Sequence, residues 1–110
     1  MKYTVYILYS RTTGKFYRGQ TRDILERFRR HNSGWEKSTK SGCPWVLIWH
    51  TEKSCRNEAL LLEKKLKNLS FKRLVDFMLK YSGEVAGPDE MELLKQFRDS
   101  GLISDSEFKE

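Results

Sequence analysis

A phenol, a glycine, a threonine, an arginine and a histidine fall within the stretch Tyr17–His31, which reads YRGQTRDILERFRRH. The set suits phosphate chemistry. The Arg27 guanidinium is a planar cationic fork that matches a phosphate. His31 follows four residues later, so on a helix the two share a face and point at the same region. Gly19, without a side chain, lets the backbone come near a substrate where a strand ends. Thr21 occupies the polar corner between that strand and the helix. Each residue also has an ordinary use: tyrosines are common in strands, arginines on solvated helix faces, and a histidine near a helix C-terminus is stabilised by the dipole. Only the spacing joins them into a phosphate-handling corner.

The elements that must hold this corner can be read from the surrounding pattern. Tyr3–Tyr9 alternates with the period of a strand, Ser10–Lys15 (SRTTGK) is a turn, and Phe16–Gln20 is a second strand, which together make a hairpin. Asp23 with Glu26 has the form of a capping box opening a helix whose buried stripe is Ile24, Leu25 and Phe28. That helix should end near Asn32–Gly34. Trp35–Pro44 reads as an exposed polar loop, and Trp45–His50 (WVLIWH) as a central or heavily buried third strand. Ser54 should cap a helix from Cys55 to about Lys67, with Ala59, Leu62, Leu66 and Leu69 as its apolar side. Ser70 and Arg73 open another helix with Phe71, Leu74, Val75, Phe77 and Met78 facing the core. The expected fold is α/β: a small antiparallel three-stranded sheet with helices packed on it, in the order β-β-α-β-α-α.

Beyond this, Ser82–Pro88 (SGEVAGP) reads as a linker. Asp89–Ser100 is an amphipathic helix with Met91, Leu93, Leu94 and Phe97 on its apolar side, and Ser104 with Glu107 opens a short last one. The division expected is a domain at residues 1–81, a linker at 82–88 and a C-terminal helical hairpin at 89–110. A hairpin of that size cannot stabilise a core alone, so it must dock on the parent domain or on a copy of itself.

At 110 residues with 38% hydrophobic and 13% aromatic side chains, the chain can bury a real core. No apolar run approaches the length that spans a bilayer, and the first strand lacks the cleavage site of a signal peptide. Cys43 and Cys55 suit reduced thiols in the cytoplasm rather than a disulfide framework or zinc cluster. The net charge of +6 is unevenly spread: residues 1–88 carry 18 basic and 8 acidic groups, net +10, and residues 89–110 carry 3 and 7, net −4. A segment so basic attracts polyanions, nucleic acid foremost, unless the charge serves only solubility.

Taken in order, the first 80 or so residues resemble the GIY-YIG nuclease superfamily. Thr4-Val5-Tyr6 corresponds to its first signature element and Tyr17-Arg18-Gly19 to its second. Thr21, Asp23, Arg27 and His31 follow at the family's spacing, and Glu58-Ala59 with Glu63–Lys67 (EKKLK) is similar to its metal-binding helix. Two positions depart from the pattern: Thr4 stands where the family has glycine, and Arg18 where it has an aliphatic residue. Arg18 should alternate to the face opposite Tyr17. The acidic MELLKQFRDSGLISDSEF run resembles the small C-terminal segment called SHOCT.

The resemblance implies a catalytic set of Tyr6, Tyr17, Arg27, His31 and Glu63, with Gly19 and Thr21 in support. One of the two phenols would activate water, and which one the sequence leaves open. Glu63 would bind Mg²⁺, with Mn²⁺ an alternative. Glu58 is the weaker candidate, and Asn68 matches a late asparagine of some members by position only. Arg22, Arg29, Arg30, Lys37, Lys40, Lys64 and Lys65 would grip flanking phosphates, and exposed Trp35 could stack on an unpaired base. No base-reading motif is present, so the expected activity is cleavage of branched, nicked or otherwise unusual DNA, in repair, recombination or mobile-element processing. The competing expectation is a nucleic-acid-binding module with little turnover, whose residues 89–110 serve self-association or autoinhibition.

Overall fold

The computed structural model describes residues 2–100. Three strands, β1 (Tyr3–Ser10), β2 (Phe16–Thr21) and β3 (Trp45–Lys53), form an antiparallel sheet in the order β2-β1-β3. Four helices pack on it: α1 (Ile24–Asn32), α2 (Arg56–Lys67), α3 (Phe71–Lys80) and α4 (Pro88–Ser100). This is the α/β architecture the sequence predicts.

The period-two alternation of β1 divides the core. Val5 and Ile7 turn to one face, where they meet Ile48, Trp49, Ala59, Leu66, Leu74, Val75, Met78 and Leu94 beneath α2, α3 and α4. Tyr6 and Leu8 turn to the other, packed with Trp45, Tyr17 and α1's Ile24 and Phe28. Arg18 does alternate away from Tyr17, and its guanidinium donates to the Leu69 carbonyl at 3.0 Å.

The central strand is β1, not β3, because β1 is the strand that pairs on both sides. The uninterrupted apolar run in β3 has another cause. The register slips between Ile7 and Leu8, so that Ile7 faces Trp49 and Leu8 faces Leu47, leaving Ile48 without a partner in β1. Ile48 and Trp49 therefore both enter the same core. The outer edge of β3 is covered by residues 82–88, where Val85 bridges Trp49 and the Ala86 N–H donates to the Ile48 carbonyl at 3.0 Å.

Leu25, expected in the stripe of α1, is 76% exposed, because a short helix on one sheet face buries only Ile24 and Phe28 beside the phenols. Asp23 caps α1 by accepting the Glu26 N–H at 3.1 Å, but Glu26 does not return the bond. Its carboxylate takes Arg29 instead, at 2.7 and 3.2 Å. Cys55, not Ser54, is the N-cap residue of α2, and the Ser54 hydroxyl donates to Glu58.

The 35–44 segment is no free loop. A 3-10 turn at Lys40–Gly42 tucks Thr39 and Gly42 inside. Ser10 Oγ donates to the Gly42 carbonyl at 2.7 Å, and Gly42 lies so close to the Trp45 indole that a Cβ would collide with it.

The apolar side of α4 is used within the chain. Leu94 is fully buried, and the Phe97 ring stands 5.1–6.2 Å from those of Tyr9, Phe16 and Phe71. The second helix expected for a hairpin, at Ser104–Glu107, lies outside the described residues. No described helix is long and apolar enough to cross a membrane.

Candidate active site

The hairpin and α1 bring the corner together. In the β1–β2 register Tyr6 faces Gly19, and Tyr17, two residues before Gly19, lies on the same side of the sheet. Helix α1 crosses that side and delivers Arg27 and, one turn later, His31. The rings form a compact triangle: Tyr6–Tyr17 centroids are 6.1 Å apart, Tyr6–His31 5.9 Å and Tyr17–His31 4.8 Å. The Tyr6 hydroxyl is 2.9 Å from His31 Nε2. On its other side the imidazole reaches Thr39, with Nδ1 3.0 Å from Oγ1.

Gly19 is required here for a reason other than the one the sequence suggests. A Cβ at this position would stand 2.7 Å from the Tyr6 hydroxyl, 2.8 Å from its Cζ and 3.0 Å from Tyr17 Cε2. The space a side chain would take is filled by the Tyr6 phenol, not left for a substrate. Thr21 shapes the corner itself. Its Oγ1 accepts the Asp23 N–H at 3.1 Å and donates to the Asp23 carbonyl at 3.3 Å, which turns the chain into α1.

Tyr6 and His31 are both almost wholly inside, at 0% and 1% exposure. Burial pushes the Tyr6 hydroxyl well above the usual phenol range, and Tyr17 and Glu63 push the same way, while Arg27 opposes them by charge and hydrogen bond. Burial likewise holds the His31 imidazolium below the ordinary histidine value. Glu36 resists that shift, and Arg27 and Arg30 add to it. At neutral pH the pair is a protonated phenol against a neutral imidazole, the state in which His31 can accept a proton.

Beside the triangle opens a cleft of about 450 Å³ lined by Tyr3, Gln20, Thr21, Arg22, Asp23, Glu26, Arg27, Arg30 and Arg56. Four of these nine are arginines. Arg27 belongs to both places, lining the cleft while its guanidinium acts on the Tyr6 phenol. Arg22 lies over the Tyr3 ring, and Arg30 is paired with Glu36 at 3.1 Å.

The remaining expected residues are more scattered. Arg29 is turned outward onto Glu26. Lys37, Lys40 and Lys64 are exposed. Lys65 lies over the Phe77 ring, in the wall of a separate cavity between β3 and α3. Trp35 is 78% exposed, and Asn68 is the exposed C-cap of α2.

Glu63 is paired with Lys67 at 2.9 Å, and its side chain is 15% exposed. It does not line the cleft, yet its charge is felt at the Tyr6 phenol. Among the described residues there is no group of three or more histidine, cysteine or acidic side chains that could enclose a metal. A single carboxylate near the phenols fits a hard cation that keeps most of its own waters, and does not fit an all-protein cage.

Sequence reasoning assigns no role to Arg56 or Thr39. Arg56 enters the cleft from the first turn of α2, and Thr39 reaches His31 from the 35–44 segment. Spacing could have found neither, since each lies in another element. For Thr39 the only available signal is a small polar residue in a loop that follows the α1 histidine.

Comparison with known proteins finds a family and a similar structure. The family described as the GIY-YIG catalytic domain matches residues 2–74. The solution NMR structure of the UPF0213 protein BH0048 from Bacillus halodurans is similar, with a TM-score of 0.50 and 32% identity over 82% of this chain and 92% of that one. No curated protein matches.

Proposed function

Because the chain belongs to the GIY-YIG family of nuclease catalytic domains, we propose that it is a metal-dependent endonuclease that hydrolyses DNA phosphodiesters, choosing its sites by DNA structure or context. The observation that carries this reading is the contact between the Tyr6 hydroxyl and a neutral, buried His31, with Arg27 linking that phenol to an arginine-lined cleft. Four arginines against Asp23 and Glu26 leave the cleft wall net positive, which favours a polyanion, and a strand backbone offers successive phosphates to Arg22, Arg27, Arg30 and Arg56.

In this reading Arg27 binds the scissile phosphate and stabilises the charge that grows on its oxygens. The Tyr6 oxygen takes a proton from the attacking water as its own proton passes to His31 Nε2. The resulting hydroxide attacks phosphorus, and the leaving oxygen departs to be protonated by solvent. Tyr6 alone is a poor base, since burial holds its proton tightly. Transfer to His31 removes the need for a free phenolate. The Tyr17 ring lies tilted beside both, its centroid 6.1 Å from that of Tyr6 and 4.8 Å from that of His31. Glu63 would hold a divalent ion, Mg²⁺ or Mn²⁺, which supplies positive charge to the phosphate oxygens when bound.

The test is cleavage of supercoiled, nicked and branched DNA with Mg²⁺, Mn²⁺ and chelator. The wild-type chain should cut only with metal. Glu63→Ala should abolish metal-stimulated cutting while leaving salt-sensitive DNA binding within a few-fold. Cutting that persists in both Glu63→Ala and Arg27→Ala contradicts the mechanism. Tight binding with no cutting of any substrate favours a binding module instead.

A further inference from the structure

A neutral His31 carries its proton on one of two ring nitrogens, and one buried hydroxyl bears on which. Thr39 is 1% exposed and firmly seated. Its carbonyl accepts the Trp45 indole N–H at 2.8 Å and the Gly42 N–H at 3.1 Å, and its own N–H donates to the Glu36 carbonyl at 3.1 Å. Its hydroxyl has a single proton and two neighbours: the Glu36 carbonyl oxygen at 3.4 Å and His31 Nδ1 at 3.0 Å. A carbonyl oxygen can only accept, so a hydroxyl that donates to Glu36 must accept from His31. Nδ1 then carries the imidazole proton, and Nε2 presents its lone pair to the Tyr6 hydroxyl at 2.9 Å. The reverse assignment would have Thr39 donate to Nδ1 and give up the carbonyl. Nε2–H would then aim at the Tyr6 oxygen, leaving the phenol proton no acceptor on the histidine.

We propose that Thr39 is a positioning residue which, by accepting the Nδ1–H, holds His31 in the tautomer whose Nε2 receives the Tyr6 proton. The inference rests on the reading of His31 as that acceptor. It assigns the 35–44 segment a task besides covering the histidine. The main chain of that segment is anchored by Ser10, Thr12 and Trp45, so the hydroxyl is delivered by a fixed backbone. The other groups that face or act on His31 are the Tyr6 and Tyr17 rings, Arg27 and Arg30 of α1, and Glu36. A substitution at Thr39 leaves all of them in place, so its effect can be read separately. Cys43, whose Sγ–H donates to the His31 carbonyl at 2.9 Å, holds the main chain of His31 and not its ring.

The experiment is nitrogen NMR of the His31 ring in the full chain at neutral pH, with single-turnover cleavage and DNA binding measured in parallel. The wild type should show the proton on Nδ1, the minority form of free histidine. Thr39→Val, which keeps the shape and loses the hydroxyl, should move the proton toward Nε2 and slow cleavage about a hundredfold, the lower end of what positioned acid–base groups contribute. Its DNA binding should be unchanged. Thr39→Ser should restore both the tautomer and the rate. A wild-type ring protonated on Nε2 overturns the inference whether or not the variants fold, as does a Thr39→Val chain that keeps the Nδ1 proton and the native rate. His31→Gln separates the two levels: native cutting by that variant removes the role of His31 itself, whereas its loss beside an intact Thr39→Val removes only the role of Thr39.

Discussion

Gly19→Ala should yield a folded protein that has lost about a hundredfold in DNA cleavage. The new Cβ would lie 2.7 Å from the Tyr6 hydroxyl and 2.8 Å from Cζ, distances at which one group must move. Glycine sits in a paired strand, opposite Tyr6, so the backbone is not the part that yields. The phenol is fully buried and tied to His31. It must swing away, and the bond to Nε2 is broken. Overpacking of this kind costs about 1–3 kcal/mol, which a domain with 5–15 kcal/mol of stability survives. A displacement near 1 Å at a reacting group is enough to cost about a hundredfold in rate. Far-UV circular dichroism and a melting curve give the fold, and single-turnover cleavage gives the rate. A rate within a few-fold of native would mean that the Tyr6–His31 contact is not used.

Arg27→Ala should cost more, about a hundredfold to a thousandfold in the rate at saturating protein, the range seen when one preorganised donor to a transition state is removed. Two losses combine. The phosphate loses its cation, and the Tyr6 phenol loses a guanidinium that eases its ionisation, while burial, Tyr17 and Glu63 still act against it. Arg27→Lys should recover little, because an ammonium is a point charge and cannot span phosphate and phenol as a planar fork does. Arg56→Ala is the contrast. Arg56 lines the cleft from the first turn of α2, so its removal should weaken binding and flatten the salt dependence while the saturated rate stays near native. Equal rate losses for the two variants would show that the cleft, and not the phenol, governs the chemistry.

Within single elements the sequence is a good guide. The alternation of Tyr3–Tyr9 marks β1, and the four-residue spacing of Arg27 and His31 places both on α1. The Asp23 and Ser70 caps form as their residue types predict, accepting from Glu26 and Arg73. The family pattern adds what periodicity cannot, since Tyr6 and Glu63 are each separated from the corner by an element boundary. What stays hidden is set by tertiary packing. Leu25 looks apolar enough for a core but has no layer to meet. Trp45–His50 reads as a central or heavily buried strand because a register slip sends consecutive residues, Ile48 and Trp49, inward. Thr39 and Arg56 reach the site from a loop and a distant helix end, and no spacing within either segment records where α1 lies. Gly19 stands out in the sequence, yet the space it leaves is taken by a tyrosine from the neighbouring strand, which only the register reveals.

The central claim is that the Tyr6 hydroxyl handles the proton of the attacking water. Tyr6→Phe tests it most directly, because the ring stays to fill the core and only the oxygen is lost. Single-turnover cleavage of branched DNA with Mg²⁺ should fall by about a hundredfold to ten-thousandfold, the contribution of a positioned acid–base group, with DNA affinity unchanged. Metal-dependent cutting by Tyr6→Phe at a rate within a few-fold of the wild type would contradict the account.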